Sequence, residues 1–302
     1  MPRENDLVII DVTPEGYGRE LIASYLIIGD EKTVLIETGP ASTSKLLVNK
    51  LDEQGIEPDY IVVTHIHLDH GGAAGQLAKH YPRAKIVVHP RGYKHLANPA
   101  KLWQASQQVL GEVAILYGEP IPVPENQLHV AEDGEIIELG RDQRLYIQHT
   151  PGHASHHMSI LLEPHGLLFT GDAAGVSFLV DGTRIRLPTT PPPFKPELYI
   201  ESLGKMKKLN PNKIVPTHYG IDPLPGTEYL EQHKHQLEKW LGAVQKLVSE
   251  GVSDPSQVAE KLPEYLDEAR DVVEKGGKIA YVTFYYSTVW GMVDYYIRKN
   301  NR

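Results

Sequence analysis

The stretch THIHLDHGG, residues 64–72, places three histidines and one aspartate within six consecutive positions. It directly follows the apolar run YIVV, which is typical of a buried strand. A loop that leaves a buried strand starts from a rigid origin, so its alternate side chains can converge on one point. Histidine offers neutral nitrogen to zinc, iron or manganese, and aspartate offers oxygen. Four such groups exceed what one ion takes from a single loop, so the pattern predicts two metal ions side by side.

Three further candidate ligands stand where predicted strands end. His153 follows the run RLYIQH, Asp172 follows LLF, and His218 follows KIV. Ligands collect at one end of the strands in α/β sheets, so these loops are expected to meet the first motif. Each residue taken alone would be interpreted as structural. As an ordered set they predict one shared site.

Composition limits the classes of protein that fit. The chain has 302 residues and no cysteine, which excludes disulfides and thiolate metal ligands. Its 30 basic against 39 acidic residues disfavour nucleic acid as a partner and give no attraction to anionic membranes. The start has no signal-peptide core and no apolar run is long enough to span a bilayer. We therefore expect a cytoplasmic protein that acts on a small molecule.

The pattern of elements predicts an α/β fold. Strand-like runs alternate with helical patterns, and the segment 25–39 reads as a hairpin. The segment 158–172 repeats that hairpin pattern, which suggests two similar β-halves facing each other. A helix is expected over 97–117 and a long loop over 173–196.

From residue 226 the pattern is helical to the end, which divides the chain into two predicted parts. Residues 1–225 would form the catalytic domain and residues 226–302 a C-terminal helical subdomain. That tail is rich in aromatic residues, including Trp240, Phe284 and Tyr285. Exposed aromatics at this density would invite association. The tail is therefore expected to wall the pocket or to form a homo-oligomer interface.

The order THIHLDH, TPGH, TGD and THYG resembles the metallo-β-lactamase superfamily, over roughly residues 7–222. That superfamily includes glyoxalase II-like (hydroxyacylglutathione hydrolase-like) thioesterases, lactonases, nucleases and persulfide dioxygenases. The resemblance implies a four-layer αβ/βα sandwich, with two mixed sheets facing each other and helices outside. One departure is Glu37 in the run Glu-Thr-Gly, where the family often carries Asp-Thr-Gly. It affects a residue expected to lie behind the ligands.

The resemblance also implies a ligand set of seven residues. The first metal would be held by His65, His67 and His153, the second by Asp69, His70 and His218, and Asp172 would bridge them. Both ions are expected to be divalent, with zinc preferred over iron or manganese. Two ions about 3.5–4 Å apart can share a hydroxide and make it a nucleophile at neutral pH. Asp69 would also act in catalysis, steering that hydroxide or moving a proton.

The function that follows is hydrolysis of an ester, thioester or lactone. The first alternative is a mononuclear iron persulfide dioxygenase of the same fold. In such an enzyme only some of the ligands would hold metal. A metal-dependent nuclease or phosphodiesterase is a weaker one, because the chain is acidic. A non-catalytic binding module would be expected to have lost ligands.

Residues outside the ligand set receive separate interpretations. The proline-rich loop 188–196 is expected to act as a lid, and four residues are expected to face substrate with it: Phe178, Arg184, Arg186 and Phe194. His233 and His235 lie in the charged helical run EQHKHQLEKW and are expected to face solvent. Either His156 or His157 is expected to orient a ligand, and His89 to lie near the site or to be structural.

Overall fold

Two β-sheets face each other at the centre of the molecule. The computed structural model describes residues 7–16, 18–180 and 182–300. The first sheet has the strand order β1-β2-β3-β4-β5-β6. Its strands are β1 Leu7–Asp11, β2 Ala23–Ile28, β3 Thr33–Ile36, β4 Tyr60–Val62, β5 Lys85–Val88 and β6 Leu128–Val130. The first three strands pair antiparallel, as predicted for the hairpin, and β3 to β6 pair parallel.

The second sheet has the order β13-β10-β9-β8-β7. Its strands are β7 Ile136–Gly140, β8 Gln143–His149, β9 Met158–Glu163, β10 Leu167–Gly171 and β13 Lys213–Pro216. β10 pairs parallel with β13, and the other neighbours are antiparallel. The predicted pair of hairpins in facing sheets is therefore confirmed.

A separate two-stranded hairpin lies in the segment that the sequence pattern assigned to a long loop. β11 Val176–Val180 pairs antiparallel with β12 Thr183–Leu187. The prediction of a loop over 173–196 was wrong, because the run VDGT in that segment carries the Asp-Gly pair typical of a tight hairpin turn.

Helices cover both outer faces of the sheets. They are α1 Ser44–Asp52, α2 Leu68–Gly71, α3 Ala74–His80, α4 Tyr93–Ala97, α5 Ala100–Leu110, α6 Glu112–Tyr117, α7 Pro196–Lys208, α8 Gly226–Ser249, α9 Pro255–Lys261, α10 Asp267–Lys275, α11 Gly277–Ile279 and α12 Ser287–Asn300, with a π-helical segment Ala280–Tyr286 before α12. None of the helices within the described ranges is long and apolar enough to cross a membrane.

Side chains alternate across each sheet, and this alternation creates the layers. In β4, Ile61 packs with the helices outside the first sheet, whereas Val62 packs between the sheets. In β9, Leu161 packs with the helices outside the second sheet, whereas Ile160 points between the sheets. Successive strand residues point to opposite faces, so each sheet must bury two apolar surfaces. The result is the predicted four-layer αβ/βα architecture.

The single helix predicted over 97–117 is broken. α4 ends at Ala97 before Asn98-Pro99, and α5 and α6 are separated by Gly111, whose φ is +55°. The residue before a proline is disfavoured in helical backbone, and a positive φ suits glycine. None of the residues of α5 is buried.

The tail from residue 226 is helical, as predicted. Its large side chains join one apolar cluster with the outer face of the second sheet. Trp240 and Tyr285 are completely buried there, and their ring centroids lie 5.9 Å apart. The boundary at residue 225 between a catalytic domain and a helical subdomain stays a prediction, as does the homo-oligomer.

Candidate metal centre

Three histidines converge on one point where the loop after β4 meets the loop after β8. His65 Nε2 lies 2.9 Å from His67 Nδ1, and His153 Nε2 lies 3.1 Å from the same His67 atom. A tetrahedral zinc ion with bonds of about 2.0–2.1 Å holds its ligand atoms about 3.3 Å apart. Both distances are close to this value, and the ligand atoms of all three histidines lie within 4.8 Å of one another, so one ion can be held by them.

A second group forms beside the first. The ligand atoms of Asp69, His70 and His218 all lie within 4.8 Å of one another. Asp69 Oδ2 is 3.7 Å from His218 Nε2, and Asp69 Oδ1 is 3.9 Å from His70 Nε2. Asp69 and His70 are on the short helix α2, whereas His218 follows β13. Two sheets thus contribute to this second group.

Asp172, at the end of β10, lies between the two groups. Its Oδ1 is 3.4 Å from His70 Nε2 and 3.5 Å from His218 Nε2. Its Oδ2 is 3.6 Å from His153 Nε2. Each carboxylate oxygen therefore faces a different group, which is the placement that a bridging ligand needs.

The ring nitrogens that point away from the site have protein partners. Nδ1 of His153 lies 3.1 Å from the carbonyl oxygen of Thr189, and Nδ1 of His218 lies 2.7 Å from that of Leu21. A hydrogen bond at one ring nitrogen fixes the tautomer and leaves the other nitrogen free to bind metal. His157 supports Asp172 in a similar way, because its Nε2 accepts the backbone N–H of Asp172 at 3.1 Å.

Glu37 holds three parts of the site from behind. Its carboxylate accepts hydrogen bonds from the hydroxyls of Thr64, at 2.5 Å, and Thr217, at 2.9 Å, and it lies 2.9 Å from His70 Nδ1. Thr64 and Thr217 directly precede the ligands His65 and His218. Glu37, His65 and His70 also lie close enough together to hold an ion, but the Glu37 carboxylate is already engaged by these donors. Glutamate at this position therefore still supports the ligands from behind, although the family often carries aspartate here.

Several buried atoms of the centre have no hydrogen-bond partner within the described residues. Among the described residues these include His70 Nε2, His218 Nε2 and Asp172 Oδ1. Buried polar atoms without partners are costly, and a nitrogen- and oxygen-binding cation would satisfy all three. The residues present therefore fit divalent metal ions.

The electrostatics of the chain agree with this fit. Burial lowers the pKa values of His65, His67 and His153 well below the usual range, so these rings are neutral, as metal ligands must be. Burial alone would lower the pKa of His70, but the neighbouring carboxylates, with Asp172 the strongest, raise it. Burial also raises the pKa of Asp172. The carboxylates thus favour a positive charge at this point, which a bound cation would supply.

A cavity of about 220 Å³ opens beside the centre. Its lining residues come from the ligand loops, from α5, from the loop 188–196 and from the C-terminal tail: His67, Leu68, Asp69, Leu102, Ala105, Ser106, Val109, Leu110, His153, Asp172, Thr189, Pro191, Pro192, Thr283 and Ser287. The prediction that the tail walls the pocket is confirmed by Thr283 and Ser287. Sequence patterns gave no sign of the α5 contribution, because an apolar helical stripe looks the same whether it meets a core or a cavity.

The four residues expected to contact substrate do not line this cavity. Phe178 is buried with its ring centroid 5.5 Å from that of Phe284, and Phe194 is buried against Tyr199. The guanidinium of Arg186 donates two hydrogen bonds of 2.9 Å to Asp222, and Arg184 donates to the hydroxyl of Ser177.

The hairpin β11–β12 explains this placement, because it directs Phe178 into the outer core and the two arginines toward the buried Asp222. Of the expected lid, Thr189, Pro191 and Pro192 do reach the cavity.

The remaining histidines divide between the site and the core. His233 was expected in solvent, but it is buried and its Nε2 lies 3.0 Å from the Tyr199 hydroxyl. That prediction was wrong, whereas His235 is exposed as expected. His89 lies against His149, with ring centroids 4.2 Å apart and the rings tilted by 42°, and its Nδ1 accepts the backbone N–H of Arg91.

Two facing sheets with histidine and aspartate clusters at the strand ends indicate a metallo-hydrolase fold. Similarity to known proteins agrees with this class. The profile of the metallo-beta-lactamase superfamily matches residues 17–218. A metallo-beta-lactamase fold-containing protein of Sulfurisphaera tokodaii is 34% identical over 222 residues, covering 72% of this chain and 79% of that protein. The chain belongs to the metallo-β-lactamase superfamily, whose members are generally metal-dependent hydrolases.

Two further likenesses are more distant. A hydroxyacylglutathione hydrolase of Photobacterium profundum is 26% identical over 225 residues, covering 73% of this chain and 70% of that protein. The crystal structure of a metallo-beta-lactamase family protein from Thermus thermophilus has the same fold, with a TM-score of 0.68 and 20% identity, covering 98% of this chain and 94% of that one. The shared fold therefore extends over the C-terminal helices.

Proposed function

We propose that the protein is a dinuclear metal hydrolase that cleaves an ester, thioester or lactone. The observation that carries this proposal is the position of Asp172, with one oxygen toward each of two complete ligand groups. The first ion would be held by His65, His67 and His153. The second would be held by Asp69, His70 and His218.

Bound divalent ions, with zinc preferred, would acidify a water molecule and polarise a carbonyl oxygen of the substrate. The chain supplies the rest. Asp69 lines the cavity and its side chain is almost fully buried, so it can hold or move a proton next to the reacting carbon. Leu68, Pro191 and Pro192 give the same space apolar walls.

The neighbouring activities of the fold are less well supported. A mononuclear iron persulfide dioxygenase would bind one metal ion, so the group of Asp69, His70 and His218 would hold no metal. A nuclease or phosphodiesterase would be expected to offer basic side chains to the phosphates that do not reach the metal ions, and neither lysine nor arginine is among the residues that line the cavity.

A substrate panel with measured metal content tests the proposal. The metal-loaded protein should hydrolyse at least one of a set of neutral thioesters, esters and lactones. Phosphodiesters should remain intact. Oxygen uptake with a persulfide as the substrate, together with one iron per chain, would show that the protein is a dioxygenase and not a hydrolase.

A further inference from the structure

The cavity beside the metal centre is walled by uncharged side chains. Its titratable lining residues are Asp69, Asp172, His67 and His153, and all four belong to the ligand groups. The other lining side chains are apolar or carry neutral hydroxyls. A substrate bound here therefore meets charge only at its reacting end.

One wall is an apolar helix face that the rest of the protein covers only in part. Leu102, Ala105 and Val109 follow each other at helical spacing along α5, and Val109 is 47% exposed. An amphipathic helix normally buries its apolar stripe. Here the stripe faces the cavity, so a chain of carbon atoms that covers it would gain the free energy of apolar burial.

Another part of the wall offers neutral hydrogen-bonding groups. Ser287 and Thr283, from the C-terminal tail, line the cavity, and the phenol of Tyr117 lies beside Thr283. Thr283 Oγ1 is buried, and no hydrogen bond to it is completed among the described residues. Such hydroxyls can satisfy an ester or amide oxygen of a ligand, but they cannot neutralise a carboxylate.

We infer that the substrate of this site is an uncharged acyl compound whose short aliphatic chain lies against Leu102 and Val109 of α5. This inference rests on the proposed function and names the substrate class within it. A cavity of about 220 Å³ is smaller than the usual range of roughly 300–1,000 Å³ for drug-sized ligands, which favours a short chain. A glutathione thioester would bring two carboxylates and an ammonium group to walls that offer them no counter-charge.

Binding of two matched thioethers tests the inference without requiring hydrolysis. S-hexyl-N-acetylcysteamine is neutral, and S-hexylglutathione carries the same chain on a charged carrier. Calorimetric titration of the metal-loaded protein should give the neutral probe at least a tenfold lower Kd. The corresponding hexanoyl thioesters should show the same order in kcat/KM.

A charge placed on the apolar wall should change this preference. Val109→Lys should weaken binding of the neutral probe at least tenfold and reduce or reverse its advantage over the glutathione probe. The matched control is Ile115→Lys, because Ile115 is 61% exposed on α6 and does not line the cavity. This control should leave both Kd values unchanged.

The inference is overturned if wild-type protein binds S-hexylglutathione as tightly as the neutral probe, or if Val109→Lys leaves the ratio unchanged. Failure of the proposed function gives a different result, because none of the esters, thioesters and lactones of the substrate panel is then hydrolysed. In that case neither hexanoyl thioester is hydrolysed, whatever the order of the two Kd values.

Discussion

Oε1 of Glu37 lies 2.9 Å from Nδ1 of His70, while Nε2 of the same ring faces Asp172 at 3.4 Å. The ring is thus held between a carboxylate behind it and a carboxylate in the site. Because Glu37 also accepts from the hydroxyls of Thr64 and Thr217, one side chain ties together the loops that carry His65, His70 and His218. The second ligand group depends on this residue although Glu37 is not assigned as a ligand.

Replacing Glu37 should therefore weaken metal binding. Groups that orient ligands typically contribute 10–100-fold in metal affinity, so Glu37→Ala should lose about that factor at the second group. Glu37→Gln should lose less, because an amide oxygen can still accept from a threonine. Competition with a chelator measures both affinities. Asp52→Asn, which changes the contacts of Asp52 with His80 and the Tyr81 hydroxyl away from the ligands, is the control. Equal affinities in Glu37→Ala and this control would contradict the role assigned to Glu37.

Replacing Asp69 should separate metal binding from proton handling. Asp69→Asn keeps the size and one oxygen ligand but removes the negative charge. We expect turnover to fall about a hundredfold, the scale for loss of a proton-transfer group, and the second metal to bind more weakly. Turnover against pH under saturating metal separates the two effects. An unchanged profile would show that Asp69 neither positions the nucleophile nor moves a proton.

Phe284 links the C-terminal tail to the metal centre. Its ring centroid lies 4.5 Å from that of His218 and 5.5 Å from that of Phe178. Phe284→Ala should reduce the free energy of unfolding by about 3–5 kcal/mol, the usual cost of a large buried aromatic, and should loosen the second metal. Denaturant titration and metal counting measure the two effects. Tyr265→Ala, at a site 40% exposed, is the control. Wild-type stability and metal content in Phe284→Ala would make the tail dispensable to the centre.

Asp222 should make stability depend on pH. Burial would raise its pKa, but hydrogen bonds from Arg186, the backbone of Leu224 and Ser177 outweigh burial and lower it. A carboxyl whose folded pKa is lowered stabilises the protein above its unfolded value of about 3.9, and that contribution is lost as the pH falls through the folded pKa.

Asp222→Asn should therefore be less stable than wild type near neutral pH, and the difference should shrink in acid. Unfolding by urea in the presence of a chelator, at neutral and acidic pH, measures this difference without interference from metal release. A difference that is constant with pH would contradict the contribution of the ionised pair.

The ligands could be predicted from the sequence because each lies directly after a strand or on the adjoining loop. The apolar runs before His65, Asp172 and His218 mark rigid strands, and rigid strands make the ligand positions recognisable. The cavity walls could not be predicted in this way. Val109 and Thr283 come from helices far apart in the chain, and neither local pattern states what the helix faces.

Two errors had signals in the sequence. His233 stands four residues after Tyr229 and four before Leu237, which are both buried, so the helical period placed it on the buried face despite its charged neighbours. Phe178 and Arg186 lie in runs around an Asp-Gly pair, and that pair indicated a hairpin. In such a hairpin the alternation of strand residues decides which way each side chain points, and the neighbouring loop 188–196 does not.

Metal titration of the stripped protein tests the central claim most directly. Zinc binding and hydrolysis should both saturate at two ions per chain in the wild type. His218→Ala should retain one ion, and Asp172→Ala should bind both more weakly because its two oxygens face different ligand groups. Saturation at a single ion with full hydrolytic activity, or two tightly bound ions and full activity in Asp172→Ala, would contradict the dinuclear account.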